Sequence, residues 1–220
     1  MKNGRKNFFR VFVATLCIFY FADWGYTKDL EFKRYQVESG MIQYTISGVQ
    51  KGKETVYFDH WGMREARYST IQRPLLGIQH ILTISDQQWT YIIDLDKKVG
   101  NKLQNNILRN FISSATARNS FDLSEEMMKY VEGEKIRSEA ILGKMCDVWQ
   151  SKKIGTVYWF WKWIPIKTQV VLTSQQETVS IATKIEENIP IPEEKFQIPK
   201  KVLFIHQNIN TIVISSRIGK

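Results

Sequence analysis

The sequence predicts an α+β protein, mainly antiparallel β, folded as one domain. Three observations lead there. Apolar and polar residues alternate with a period of two through much of 41–95 and 135–187. The turns between these runs are too short for crossover helices, and helical spacing is confined to 103–133.

Residues 41–49 (MIQYTISGV) put Ile42, Tyr44 and Ile46 on one side of an extended chain. The turn Lys51-Gly52-Lys53 leads into 54–60, and Trp61-Gly62 leads into 63–70, which together read as a meander. Runs 79–85 and 88–95 follow, and a charged turn from Asp96 to Gly100 closes them. Between 103 and 117, Leu103, Ile107, Leu108, Phe111, Ile112 and Ala115 recur every three or four positions, the stripe of an amphipathic helix. A second short helix is expected from Ser124 as its N-cap, with Glu125 and Glu126 in the electropositive first turn. Runs 135–142, 144–151, 156–163, 166–174 and 177–187 make the second β-rich half, the last with Val179, Ile181, Thr183 and Ile185 on one face. The segment 188–200 holds three prolines and is expected as an extended edge or surface stretch, with edge strands at 202–206 and 211–215.

The first 25 residues are expected to lie outside that domain. Lys2, Arg5, Lys6 and Arg10 make a positive opening without acids, and the twelve residues from Val11 to Ala22 carry no charge. Twelve helical residues rise about 18 Å, short of a hydrocarbon core of roughly 30 Å but suited to a secretory signal. With Ala22 at −1, Tyr20 would stand at −3, a poor cleavage site, so the segment is expected either to be removed or to remain as an uncleaved inner-membrane tether. The expected location is the periplasm, or otherwise outside the cytoplasm. Residues 26–200 then form the domain and 201–220 a C-terminal extension.

Only Cys146 remains beyond the leader, which excludes an internal disulfide and suggests a small buried apolar side chain. The formal charge of +9 comes from 31 basic and 22 acidic residues; without the four leader cations the balance is 27 to 22. Those charges are scattered singly, a pattern that argues against a nucleic-acid site and allows mild attraction to a membrane surface.

The segment most unusual for its chemistry is 156–163 (TVYWFWKW). Period-two geometry places Val157, Trp159, Trp161 and Trp163 on one face and Tyr158 and Phe160 on the other, so each face needs a cover. One face could line a ligand cavity, form a thick ordinary core, or bind a protein. Catalytic signatures are absent: His60, His80 and His206 lie far apart, and no nucleophile elbow, P-loop, dinucleotide or haem-attachment pattern occurs. Asp59 and His60 are adjacent strand residues expected on opposite faces, and Asp94 and Asp96 belong to a turn.

Several stretches carry a family resemblance: 143–150 (GKMCDVWQ), 158–167 (YWFWKWIPIK), 185–199 (IEENIPIPEEKFQIP), 56–65 (VYFDHWGMRE) and 91–100 (YIIDLDKKVG). Together they resemble exported domains related to the outer-membrane lipoprotein carriers of the bacterial periplasm, the LolA/LolB-like superfamily, over about 41–199. The resemblance implies a strongly curved antiparallel sheet, an incomplete or half-barrel, covered by one or two helices. In the carriers the space between sheet and helices accepts acyl chains, and 103–117 and 124–133 match the lid helices in position.

The expected function is therefore an exported, non-catalytic binder or carrier of a lipid or other apolar ligand. Trp159, Trp161, Trp163 and Trp89 are the expected lining, with Phe111 and Ile107 as lid contacts. No cofactor or metal is expected; a lipid, a lipidated protein or a membrane surface would be the partner. The alternative is a protein-interaction module that adds a strand to a partner through exposed β-edges near 202–215.

Overall fold

Alternating strands joined by short turns pair with their chain neighbours, and two such meanders here merge into one sheet. The computed structural model describes residues 32–117, 123–173 and 176–205; the expected leader and the run 211–215 lie outside the described residues. The first meander is β1 Gly40–Gly48, β2 Lys51–Asp59, β3 Arg64–Arg73, β4 Gly77–Ser85, β5 Trp89–Asp94 and β6 Val99–Gln104. Helices α1 Asn106–Ala117 and α2 Leu123–Tyr130 follow. The second meander is β7 Gly133–Ile141, β8 Lys144–Ser151, β9 Thr156–Trp161, β10 Ile164–Thr173 and β11 Gln176–Glu187, and β12 Leu203–Ile205 comes last.

The twelve strands run in the order β12-β6-β5-β4-β3-β2-β1-β11-β10-β9-β8-β7. All neighbours are antiparallel except β12, which lies parallel to β6. The seam between the meanders is β1 against β11, from Gly40 opposite Glu187 to Gly48 opposite Thr178. The sheet does not close, and its edges are β12 and β7. This is the antiparallel β-rich fold the sequence predicts, in the open half-barrel form with two helices that the family resemblance implies.

The helices carry the chain from β6, beside one edge, to β7 at the other. On a flat sheet those strands would stand about 48 Å apart at roughly 4.8 Å per strand, whereas α1 and α2 are only about 18 and 12 Å long. A curled sheet shortens that crossing. Bulges at Gln43/Tyr44, Lys135/Arg137, Pro165/Lys167 and Val171/Thr173 all fall in β1 or the second meander, where each bends and twists its strand.

Three apolar clusters hold the sheet. On one face of the first meander, Ala66, Leu82, Ile84 and Ile93 are buried with Tyr57, Tyr68 and Tyr91 around them. The proline-rich segment lies over this face: Ile191, Phe196, Val202 and Phe204 pack into the cluster, with Phe196 presented by the short 3₁₀ turn Glu193–Phe196. Thus 188–200 is a cover as well as an extended stretch. The second cluster joins Tyr35, Ile42, Tyr44, Val56 and Phe58 to Cys146, Val148, Trp159, Ile164 and Ile166 across the seam. The third is small: Met63 and Leu123 are its buried members, with Phe32, Leu108, Phe111 and Ile112 against them.

Four local expectations are corrected. Lys51, Gly52 and Lys53 belong to β2 and do not form its turn. Leu103 lies in β6, opposite Thr90, and is not the start of a helix; β6 (VGNKLQ) has too few apolar residues to announce itself as a strand. Ser124 lies inside α2, and its hydroxyl donates to the Arg34 carbonyl at 2.6 Å instead of capping the helix. Along β11 the bulge shifts the alternation by one, so Ala182, opposite Tyr44, is the buried residue and Ile185 faces Ile42.

Phe196 tests whether the proline-rich segment is structural. Phe196→Ala is expected to lower the unfolding free energy by about 3 kcal/mol, read from urea unfolding, because it uncovers the β3–β5 face.

Candidate functional site

β9 is where the two faces of the sheet differ most. On one face, Trp159 stands opposite Val148 of β8 and Lys167 of β10 and belongs to the buried cluster. It is 3% exposed, and its indole N–H donates to Glu139 Oε2 of β7 at 2.9 Å. That bond and the neighbouring Arg137 hold the Glu139 carboxyl below the ordinary glutamate range. Lys167 Nζ lies 4.1 Å from the indole centre. Trp161 is treated alike, with Lys144 and Lys162 ammonium groups 3.6 and 4.6 Å from its ring. Both lysines bond Glu187, each at 3.1 Å.

Trp89, in the other meander, has Lys102 Nζ 3.9 Å from its ring. Six strands separate β5 from β9 in the strand order. All three strand indoles have an ammonium group over a face, a cation–π arrangement that occupies the surface a ligand would use.

Trp163 departs from the expected strand geometry. β9 ends at Trp161, and Lys162 and Trp163 make the turn into β10, both with positive φ (50° and 62°). The turn brings the indole against Phe160, with ring centres 5.4 Å apart, and against Trp149 at 5.6 Å, while it also packs on the buried seam cluster. Phe160 in turn stacks on Tyr158 at 5.2 Å with an interplanar angle of 11°. Trp149 pairs directly with Tyr158 across β8 and β9. Trp149, Trp163, Phe160 and Tyr158 therefore form a continuous aromatic band, each ring partly exposed. Sequence reasoning missed Trp149 and assigned Tyr158 and Phe160 only to a second covered face. The signal was available in the cross-strand pairing of two aromatic runs.

Of the expected lid residues, Phe111 on α1 meets Tyr130 of α2 edge-to-face, centres 5.3 Å apart. Ile107 lies on α1, and its side chain is outside the described residues. A cavity of about 450 Å³ lies beside Arg64, Tyr91, Glu193 and Phe196.

The face of β2 and β3 opposite the proline-rich cover is unexpectedly ionic. Glu65, 4% exposed, accepts from Arg34 at 2.9 Å and from the Tyr35 hydroxyl at 3.2 Å, and pairs with Arg67. Arg67 also reaches Glu54 at 2.9 Å, and the Ser69 hydroxyl donates to Glu54 at 2.7 Å. Burial pushes the Glu65 carboxyl up, but Arg67 and Arg34 outweigh it and hold it below the ordinary range. Burial pushes Tyr35 up to about 12. No pattern in the chain announces this cluster, because Glu65 and Arg67 read as solvated strand charges.

The acid–base candidates are structural. His60 has φ 48°, which breaks the strand alternation and lets its Nδ1 lie 2.9 Å from Asp59 Oδ1, contrary to the expected opposition. Arg64 grips the same carboxylate through Nε at 2.9 and 3.2 Å, and with His60 holds it below the ordinary range against its burial. Asp94 accepts the Asp96 and Lys97 backbone N–H groups as a turn cap, and Asp96 pairs with His80 at 2.9 Å. Cys146 is buried, which pushes its thiol up.

No family model and no curated protein matches the chain. Among solved structures, an uncharacterized conserved protein from Thermus thermophilus aligns with a TM-score of 0.53 at 6% identity, covering 78% of this chain and 92% of that one. The likeness is one of fold: an open antiparallel half-barrel with helices. The matches also include a LolA superfamily protein from Nitrosomonas europaea (TM-score 0.32, 11% identity, 78% and 94% covered). MucB aligns as well (0.43, 11% identity, 79% of this chain and 62% of that chain).

The ionic cluster makes stability pH-dependent with a defined sign. Folded protein keeps Glu65 ionised to lower pH than the unfolded chain does. Its contribution is therefore complete above the usual glutamate pKa of about 4.3 and is lost as pH falls below it. Glu65→Gln is expected to cost about 3 kcal/mol at pH 7 and to flatten the decline in stability below pH of about 4.3, both read from urea unfolding across pH.

Proposed function

We propose that the protein is a non-catalytic binder of an apolar ligand, a lipid or the acyl part of a lipidated molecule, and that it acts outside the cytoplasm. The observation that carries this reading is the aromatic band. Trp149, Trp163, Phe160 and Tyr158 touch ring to ring on the sheet, yet the protein's own packing leaves every one partly exposed. Rigid aromatic surface of this kind is what an alkyl chain replaces water on. Helices α1 and α2 suit a movable cover, since among the described residues the apolar cluster that seats them has Met63 and Leu123 as its buried members. The lysine-covered indoles of Trp159, Trp161 and Trp89 then serve the scaffold, and binding falls to the band with Trp163 at its end.

Strand addition at an edge is less favoured. β7 is a nine-residue edge strand, long enough to template a partner. It carries Glu134, Lys135, Arg137 and Glu139 and a bulge between Lys135 and Arg137, the devices by which edges avoid pairing.

Mass spectrometry of organic extracts from the gently purified protein is expected to find a co-purified lipid. Uptake of a fluorescent fatty acid is expected to weaken about tenfold in the double variant Phe160→Ala and Trp163→Ala, measured under conditions where urea unfolding shows the variant still folded. An extract free of lipid, together with probe binding identical in the variant, would sink this reading.

A further inference from the structure

We propose that the cavity between the proline-rich segment and the β3–β5 sheet is a binding site for an alkylammonium group, a primary amine on an aliphatic stem. The site is separate from the aromatic band and does not rest on lipid binding. The cavity holds about 450 Å³, within the range of small-molecule sites, and its walls include Arg64, Ile84, Asp86, Tyr91, Glu193 and Phe196. A second cavity of about 330 Å³, beside His60 and Met63, shares Arg64 and Asp86 with the first. The wall supplied by the proline-rich segment is pinned. The Tyr68 hydroxyl donates to the Lys195 carbonyl at 2.9 Å, Arg64 Nη1 donates to Glu193 Oε1 at 2.9 Å, and Phe196 is buried.

The charged donor in this lining is already spent. Arg64 gives Nε and Nη2 to Asp59 and Nη1 to Glu193, and its guanidinium lies 4.1 Å from the Phe196 ring centre. His60 Nδ1 also lies on Asp59, at 2.9 Å. Lys102 is drawn to the Trp89 ring at 3.9 Å and does not line the cavity. The acceptors are not spent. Asp86 takes the Gln88 and Trp89 N–H groups through Oδ1, each at 2.7 Å. Its Oδ2, and Oε2 of Glu193, accept nothing from the described residues. Three carboxylates, of Asp59, Asp86 and Glu193, therefore surround one guanidinium.

That imbalance selects the ligand. An anion would meet carboxylates and no uncommitted cation. A neutral apolar molecule would cover the two spare oxygens without supplying a hydrogen. An ammonium group carries three donors and no acceptor, so it supplies the hydrogens that both oxygens lack. An aliphatic stem then lies against Ile84, Tyr91 and Phe196. A metal ion fits less well, because no group of three or more metal-ligating side chains occurs among the described residues.

Isothermal titration calorimetry on the full chain at low salt tests the site. Pentylamine is expected to bind with one-site saturation, and 1-pentanol and calcium are expected to give no saturable heat. Asp86→Asn, which keeps an Oδ1 acceptor for its turn, and Glu193→Gln are each expected to weaken pentylamine binding about tenfold. Glu194→Gln, on the same 3₁₀ turn but outside the cavity wall, is expected to leave binding unchanged. Urea unfolding checks that each variant is folded. Spermidine and Nα-acetyl-lysine amide separate the two sources of such a group: tighter binding of the first assigns the site to free amines, tighter binding of the second to a lysine side chain of a peptide. No saturable binding of pentylamine, equal binding of 1-pentanol or calcium, or an equal loss in Glu194→Gln would each overturn the proposal. The double variant Phe160→Ala and Trp163→Ala should still bind pentylamine, so failure of the amine site and failure of the lipid reading are told apart.

Discussion

The pairing of β1 with β11 is the contact on which the rest of the molecule depends. Each meander alone would be a sheet of five or six strands with an unpaired edge at the seam. Joining them along Gly40–Gly48 satisfies that edge and places the buried residues of both halves in one cluster, from Phe58 to Trp159. It also puts β6 and β7 near opposite ends of the strand order, so the helices must cross the sheet. The bulge at Gln43/Tyr44 sits in this seam. There it switches which residues of β11 face inward and lets Tyr44 donate to the Pro165 carbonyl at 3.0 Å.

The ionic cluster on β2 and β3 follows from the same arrangement. A wide sheet has two faces, and in the first meander the proline-rich cover consumes one of them with aromatic and aliphatic residues. The other face carries Glu54, Glu65, Arg67 and Ser69 in a row of paired strands. Burying those charges is unfavourable unless each is matched, and here each carboxylate has at least two donors. Such a cluster contributes little net stability but tolerates no loss of one partner. It also ties Arg34 and Tyr35, which precede β1, to the middle of the sheet.

Most of the fold was legible in the sequence because period-two alternation and short turns leave antiparallel neighbours as the simplest pairing. What was not legible has identifiable physical reasons. β6 has glycine, asparagine and lysine where a strand signal needs branched or aromatic residues, and only its partner β5 makes it a strand. Trp163 was misplaced because two positive-φ residues in the turn break an alternation that the composition continues. At the candidate site, the run of indoles pointed to β9 but not to the rings that join it in the aromatic band. Lysines from other strands and turns sit on Trp159, Trp161 and Trp89, and the band depends on Trp149, which only the β8–β9 register brings to Tyr158. The buried ion pairs were invisible because burial of a charged strand residue is decided by what covers the sheet, not by its neighbours in the chain.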